Sequence, residues 1–208
     1  SIHEKAFENS KDIKTVQFPF DSNIRRIEKE AFMHSSITSI FIPPKVKTIH
    51  ENTFYYTKCL KKVYFSDHSK LLLIDKKAFS ESSVECLTLP STVKTIGEEA
   101  FKYCKKLKKI RISYKSKLNA IEKNAFYDAG LETILIPSKV TEIKDSAFIF
   151  CKFKTIEFAK NSHLKEIGKC AFEFSDLTCV ILPSRVTKLN KSVFSYCQEL
   201  EKVEFDEK

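Results

Sequence analysis

The residues most able to do chemistry in this chain are its cysteines, and their spacing argues against a metal site. The seven cysteines are Cys59, Cys86, Cys104, Cys151, Cys170, Cys179 and Cys197. Cys104, Cys151 and Cys197 each lie three residues after a phenylalanine that recurs along the chain, where other repeats carry serine, threonine or alanine. Such a position favours a small side chain in the core. Because neither a close Cys-x-x-Cys pair nor a Cys/His zinc pattern occurs, we predict that these three cysteines are free thiols.

Histidines and acidic pairs show no arrangement that favours catalysis. The histidines fall at different repeat positions and do not converge in the sequence with a nucleophile: His3, His34, His50, His68 and His163. The acidic pair Glu98 and Glu99 precedes an Ala-Phe pair, where carboxylates favour the start of a helical turn more than acid–base catalysis. The sequence therefore predicts no catalytic residues, no metal ligands and no cofactor, and a protein that is not an enzyme.

A basic run at residues 102–117 is the strongest local charge feature in a chain of net charge +9. It contains Lys102, Lys105, Lys106, Lys108, Lys109, Arg111, Lys115 and Lys117. One interpretation is a site for a sulfated glycan, an anionic lipid surface or an acidic protein. Nucleic acid is a poorer candidate, since no base-reading motif accompanies the run. We favour instead a solvated face, because Leu107, Ile110 and Ile112 must point inward and divide the cations between surfaces.

The elements that position these residues form a repeat. An Ala-Phe pair, with threonine or valine replacing the alanine twice, recurs at intervals of 25, 22, 25, 22, 25, 22, 24 and 22 residues. Its phenylalanines are Phe7, Phe32, Phe54, Phe79, Phe101, Phe126, Phe148, Phe172 and Phe194. A fixed period of this length indicates a solenoid in which each turn packs on its neighbours. The phenylalanines should form a buried ladder.

Each repeat contains a strand pattern, apolar-x-x-apolar-x-apolar, whose last two apolar residues alternate with period two. The pattern predicts one long parallel sheet. Proline follows the strand in every second repeat, as in residues 131–137 and 177–183. A second apolar pair at spacing three, such as Val93 and Ile96, predicts another short strand, followed by one or two helical turns that carry the phenylalanine inward.

The repeat resembles the BspA-type (Treponema-type) leucine-rich repeat, most clearly in Leu131–Cys151 and Leu177–Cys197. The resemblance implies a β-rich solenoid: a curved, right-handed array with a parallel concave sheet and short helical or 3-10 turns, in about nine repeats of alternating 22 and 24–25 residues. It also implies protein recognition, often adhesion by surface proteins of bacteria or parasitic protists, and no enzymatic activity. Pro-x-x-Val, as in Pro137–Val140, replaces the asparagine ladder of commoner leucine-rich repeats.

Outward residues of the strands are the candidate ligand contacts, because side chains alternate across a strand. These positions vary between repeats, as a recognition surface requires. The candidates on the concave face are Phe41, Lys62, Tyr64, Thr88, Lys109, Arg111, Leu135, Glu157 and Ile181. Phe41, Tyr64, Leu135 and Ile181 are large apolar groups facing water. Scattered singly they are ordinary surface, whereas a contiguous patch would indicate a binding face.

Residues 1–208 read as a single domain, and we predict a segment of a longer array, since no polar capping repeat is evident. The best-supported function is protein interaction or adhesion at the cell surface or outside the cell. Alternatives are a glycan- or anionic-lipid-binding module using residues 102–117 and a cytoplasmic scaffold. The cytoplasmic scaffold is favoured by the predicted free thiols and by the lack of a signal-peptide pattern in the first ten residues.

Overall fold

The computed structural model describes residues 1–207 and shows a parallel β-solenoid, as the repeat predicts. Within those residues the strands number sixteen, in two faces of the coil. In chain order they are β1 (Thr15–Val16), β2 (Ser39–Ile42), β3 (Thr48–Ile49), β4 (Lys62–Phe65), β5 (Leu73–Ile74), β6 (Cys86–Leu89), β7 (Thr95–Ile96), β8 (Lys109–Ile112), β9 (Ala120–Ile121), β10 (Leu135–Ile136), β11 (Glu142–Ile143), β12 (Glu157–Phe158), β13 (Glu166–Ile167), β14 (Cys179–Leu182), β15 (Lys188–Leu189) and β16 (Lys202–Phe205).

The concave face is formed by β1, β2, β4, β6, β8, β10, β12, β14 and β16. Its strands carry the predicted alternation: in β8, Ile110 and Ile112 are buried while Lys109 and Arg111 are exposed. The second short strand also forms, since β3, β5, β7, β9, β11, β13 and β15 make one continuous parallel sheet. The prediction of one long sheet is wrong for the concave face, whose strands within residues 1–207 form three sheets of five, two and two strands. Both faces together enclose a single hydrophobic core along the solenoid.

The predicted helical turns are wrong. In every phenylalanine loop, the residues two before and two after the ring have positive φ, as at Glu99 (56°) and Tyr103 (58°), which interrupts a right-handed helix. Amides alternate between partners: the Phe101 N–H donates to the Ala125 carbonyl of the next coil at 2.7 Å, whereas the Lys102 N–H donates to Glu99 of its own coil at 3.1 Å. Hydrogen bonding between coils therefore overrides the helix propensity of residues such as Glu98.

The phenylalanine ladder is confirmed. Phe101 is fully buried and stacks on Phe79 and on Phe126 with ring centroids 5.2 Å apart in both cases. The ring planes are 3° and 2° from parallel. The ladder runs from Phe7 to Phe194, so each coil contributes one ring to a continuous stack.

Strands of the concave face associate in twos. Four consecutive in-register pairs join β2 to β4, β6 to β8, and β14 to β16. Between these units the pairing is sparse: Lys62 with Cys86 joins β4 to β6, and a single bridge joins Lys109 to Thr133. One physical reason is the proline after β2, β6, β10 and β14, which lacks a donor for the preceding coil.

Candidate recognition surface

The outward side chains of the concave face form two rows, because the parallel strands are in register. One row contains Lys62, Cys86 and Lys109, and the other contains Tyr64 on β4 with Thr88 and Arg111 on β6 and β8. Adjacent members are about 4.8 Å apart along the sheet. Residues distant in sequence therefore become neighbours on a surface that can contact a ligand.

An aromatic patch occupies the N-terminal end of this face. Phe41 and Tyr64 are in-register neighbours on β2 and β4. Phe20, from the turn after β1, stacks on Phe41 with ring centroids 5.1 Å apart. Phe20 is 79% exposed and Tyr64 is 51% exposed, while Phe41 is half-buried. The sequence interpretation missed Phe20; a large aromatic in an otherwise polar turn was the available signal.

Cations lie directly beside the aromatic patch. Lys62 is exposed on β4, and Lys109 and Arg111 are exposed on β8, with β6 between the two strands. These three cations form no ion pair with the described residues. A depression of about 610 Å³ opens here, lined by Lys62, Tyr64, Thr88 and Arg111 among others. Guanidinium and ammonium groups next to an aromatic ring suit an anionic or mixed polar–aromatic ligand.

The remaining concave candidates lie apart from that patch. Leu135 is half-buried on β10, beside exposed Glu157 on β12. Ile181 on β14 is 54% exposed, but β14 pairs only with β16 among the described strands. The large apolar groups of this face thus form one contiguous cluster, made of Phe20, Phe41 and Tyr64. Leu135 and Ile181 lie at two separate sites.

The basic run at 102–117 does not form one surface. Ion pairs engage Lys102 with Glu99 at 2.9 Å, Lys105 with Asp128 at 3.1 Å, and Lys108 with Glu132. Burial of Glu99 would raise the pKa of its carboxyl, but Lys102 and Lys77 lower the pKa overall. Lys109 and Arg111 face the concave side, while Lys106, Lys115 and Lys117 are exposed in turns. The run is therefore dispersed around the coil.

The cysteines are free in the structure. Cys104, Cys151 and Cys197 donate to the carbonyls of Phe79, Phe126 and Phe172 in the preceding coil, at 3.0, 3.1 and 3.2 Å. Burial raises the pKa of the Cys104 thiol to about 12, so it stays protonated and unreactive at neutral pH. Among residues 1–207, no three His, Cys, Asp or Glu side chains cluster closely enough to hold a metal ion.

A second aromatic row runs along the phenylalanine loops. Phe150, Phe174 and Tyr196, each two residues after a ladder phenylalanine, stack with centroids 4.7 and 4.5 Å apart. All three are partly exposed and have positive φ. The sequence interpretation missed this row, although large side chains recur at that position.

In the part of the chain that the structure describes, no helix has the length and apolar character that crossing a membrane requires.

The repeat model of the BspA-type leucine-rich repeat region matches residues 1–108 and 119–208 in six copies. The chain belongs to the BspA-type leucine-rich repeat family. A comparison of this chain with curated proteins found no match.

Solved structures agree on the fold. A leucine-rich repeat protein from Bacteroides ovatus is 23% identical over 98% of this chain, with a TM-score of 0.77. The pneumococcal vaccine antigen PcpA is 26% identical over 97% of this chain, with a TM-score of 0.62. A leucine-rich repeat protein from Eubacterium ventriosum is also 26% identical, with a TM-score of 0.50. The chain spans 58% of the length of the first two and 56% of the third.

Proposed function

We propose that this BspA-type repeat domain is a non-enzymatic module that binds a protein partner through its concave face. One observation carries the proposal. Phe20, Phe41 and Tyr64 form a contiguous, partly exposed aromatic patch beside the unpaired cations Lys62 and Arg111. Exposed aromatic residues and arginine are the groups enriched in the energetic centres of protein interfaces.

The pattern of variation along the solenoid supports the same proposal. Every coil places a phenylalanine in the core ladder, yet the outward positions of the concave strands change from tyrosine to threonine to arginine in successive coils. Packing constrains the inward residues, whereas the outward ones are free to match a ligand. The scaffold thus holds a variable surface rigidly, which lowers the entropic cost of binding.

We place the module at the cell surface, with adhesion as its role. The support is the character of BspA-type repeats, which often occur in surface proteins, and the likeness to a pneumococcal vaccine antigen. We further propose that residues 1–208 are one domain of a longer repeat array, in keeping with the 58% of those solved chains that this chain spans.

The test is a comparison of two double variants that remove similar apolar groups from different faces. The concave variant, Phe41→Ser with Tyr64→Ser, disrupts the aromatic patch. The loop-row variant, Phe174→Ser with Tyr196→Ser, removes exposed rings from the second aromatic row, which runs along the phenylalanine loops. Immobilised wild-type domain would first select partners from a panel of purified extracellular-matrix and cell-surface proteins. Biolayer interferometry would then measure each selected partner against both variants.

We expect the concave variant to bind at least about tenfold more weakly, a loss of about 1.4 kcal/mol or more. The loop-row variant should bind within about twofold of wild type. Equal losses in both variants, or a loss confined to the loop-row variant, would place the interface elsewhere. A panel from which nothing is retained would count against a protein partner.

A second candidate is binding of a sulfated glycan, now centred on Lys62, Lys109 and Arg111, because these three cations form no ion pair among the described residues and lie within two strands of one another on the same face. Heparin is the probe. Replacing Lys62 and Lys109 with glutamate should abolish its salt-dependent retention, whereas changing the ion-paired Lys105 and Lys108 should have little effect. Equal effects of the two double variants would disprove this location.

A further inference from the structure

The concave face contains a split between β12 and β14. These neighbouring strands share neither a ladder nor a bridge. Within residues 1–207, β8 and β10 also lack a ladder, but a bridge joins Lys109 in β8 to Thr133, just before β10; the other neighbouring pairs of this face have ladders. A depression of about 1370 Å³ lies in the split, lined by Thr155–Ser162 on one side and Cys179, Ile181, Pro183 and Arg185 on the other. This volume exceeds the roughly 300–1,000 Å³ of pockets for small ligands.

The split is local, because the same two coils are joined on both sides of it. Before the strands, the Phe150 N–H donates to the Glu173 carbonyl at 2.9 Å. After them, the Thr187 N–H donates to the Lys165 carbonyl at 2.9 Å, and β13 pairs with β15. The opening therefore lies between these bonds, within residues 151–164 of one coil and 174–186 of the next, in an otherwise continuous solenoid.

Two residues provide a physical cause. Phe153 is fully buried where the other coils carry leucine, isoleucine or valine. Its ring packs edge-on against Phe148 and Phe172, with centroids 5.5 and 6.3 Å away, so it fills space between the two coils. Pro183 ends β14 and has no N–H to donate to the preceding coil, unlike Asp206, whose N–H donates to the Leu182 carbonyl at 2.7 Å.

Both walls of the split present strand edges. In a parallel strand, the backbone groups of successive residues point to opposite neighbours. The Glu157 N–H donates to the carbonyl of Ile134, directly before β10, so the N–H and C=O of Ile156 and Phe158 point into the split. Leu182 accepts from Asp206, so the N–H and C=O of Ile181 point into it from the opposite wall. Unpaired edges of this kind are templates for another strand.

We propose that an extended segment of the protein partner inserts into this split as an additional strand of the concave sheet. The proposal rests on the proposed function, because it assumes a protein partner. Main-chain hydrogen bonds to both walls would provide affinity, and alternate side chains would provide specificity.

The lining defines the segment. Inward side chains of the inserted strand would lie over the core beneath the split, where Ile156, Val180 and Leu182 are buried, and outward ones would lie beside Ile181, which lines the depression. The charged groups of the lining balance in sign: Lys160, Lys165 and Arg185 against Glu157, Asp206 and Glu207. The split therefore suits an uncharged segment with an apolar residue at every second position.

Amide hydrogen exchange followed by NMR tests the open edges in the free domain. The N–H groups of Ile156, Phe158 and Ile181 should exchange at least about tenfold faster than that of Arg111, whose strand is fully paired. A short synthetic peptide of alternating valine and threonine should bind and slow this exchange. The same peptide with alternate backbone amides N-methylated should bind at least about tenfold more weakly, since it lacks the donors.

Proline substitution supplies the matched variants. Ile181→Pro should leave the urea midpoint close to that of wild type, because the replaced N–H has no partner in the free domain, and should weaken peptide binding at least about tenfold. Arg111→Pro, at the same strand position in β8, should lower the urea midpoint, because it removes a bond within the β6–β8 ladder.

Protected amides in the free domain, equal binding of the methylated peptide, or no peptide binding below about 1 mM would each overturn strand insertion. None of these results bears on the aromatic patch at β2 and β4, which is tested separately by the Phe41 and Tyr64 variants. Conversely, a partner whose binding is unchanged by the Phe41 and Tyr64 variants but is lost in Ile181→Pro would support strand insertion at the split and not binding at the aromatic patch.

Discussion

Replacing Phe101 with alanine is the most direct test of the solenoid core. The ring is fully buried and lies between Phe79 and Phe126 at centroid distances of 5.2 Å. Truncation of a buried phenylalanine costs about 3–5 kcal/mol, and loss of two stacked contacts, at about 0.5–1.5 kcal/mol each, places Phe101→Ala at the upper end of that range. Neighbouring coils cannot collapse easily into the gap, because hydrogen bonds to the next coil hold the backbone of each loop.

Phe7→Ala is the matched control. Phe7 is partly exposed, and within residues 1–207 it stacks on one ring, that of Phe32, at 5.0 Å. We expect it to cost about half as much as Phe101→Ala. The free energy of unfolding would be measured by urea denaturation with circular dichroism, and unchanged slopes would show that the denatured states are comparable.

A loss below about 1 kcal/mol for Phe101→Ala would mean that the ring does not carry core packing. Equal losses for Phe101→Ala and Phe7→Ala would also refute the reasoning, because the argument depends on burial and on two stacked neighbours. In that case, stability would reside in the sheets and not in the aromatic ladder.

Three further predictions follow from packing and titration. A methyl group added at Gly130 would lie 2.2 Å from the Lys105 carbonyl oxygen, so Gly130→Ala should cost about 1–3 kcal/mol, measured by its urea midpoint; wild-type stability would mean that the coils can separate there. A thiol reagent should modify exposed Cys86 in the native protein and buried Cys104 only after unfolding; fast native labelling of Cys104 would contradict its burial. Burial raises the Cys104 pKa from 9.0 to about 12, so the stability contributed by the neutral thiol is complete below about pH 9 and is lost as the pH rises through about 12. Cys104→Ala should show a smaller alkaline loss of stability than wild type, and identical profiles would contradict the assignment.

The amino-acid sequence determined the architecture of this protein. A repeated phenylalanine and the period-two strand pattern require a common interior, because each coil can bury its apolar side chains only against the next coil. The burial of Cys104 and Cys151 was equally readable, since serine, threonine and alanine replace them in other repeats, whereas Cys197, predicted to lie in the core with them, is only partly buried. The outward residues of the concave strands followed from alternation along each strand.

The conformation of the phenylalanine loops depended on tertiary structure. Glu98 and Glu99 favour a helix locally, but the loop amides bond to the next coil, and this requires left-handed backbone at residues such as Tyr103 and Phe174. Bulky aromatic residues rarely adopt that conformation. Their sequence therefore contained no local signal for it.

Tertiary structure also decided which surface groups meet. Lys102, Lys105 and Lys108 share a sequence run with Lys109, yet they pair with carboxylates on other coils or on their own turn. Strand register instead places Lys109 in one outward row with Lys62, with Cys86 between them. The split at β12 depends on the fit of Phe153 between two coils. Sequence determines which side of a strand a residue faces, but only packing between coils determines its neighbours across the surface.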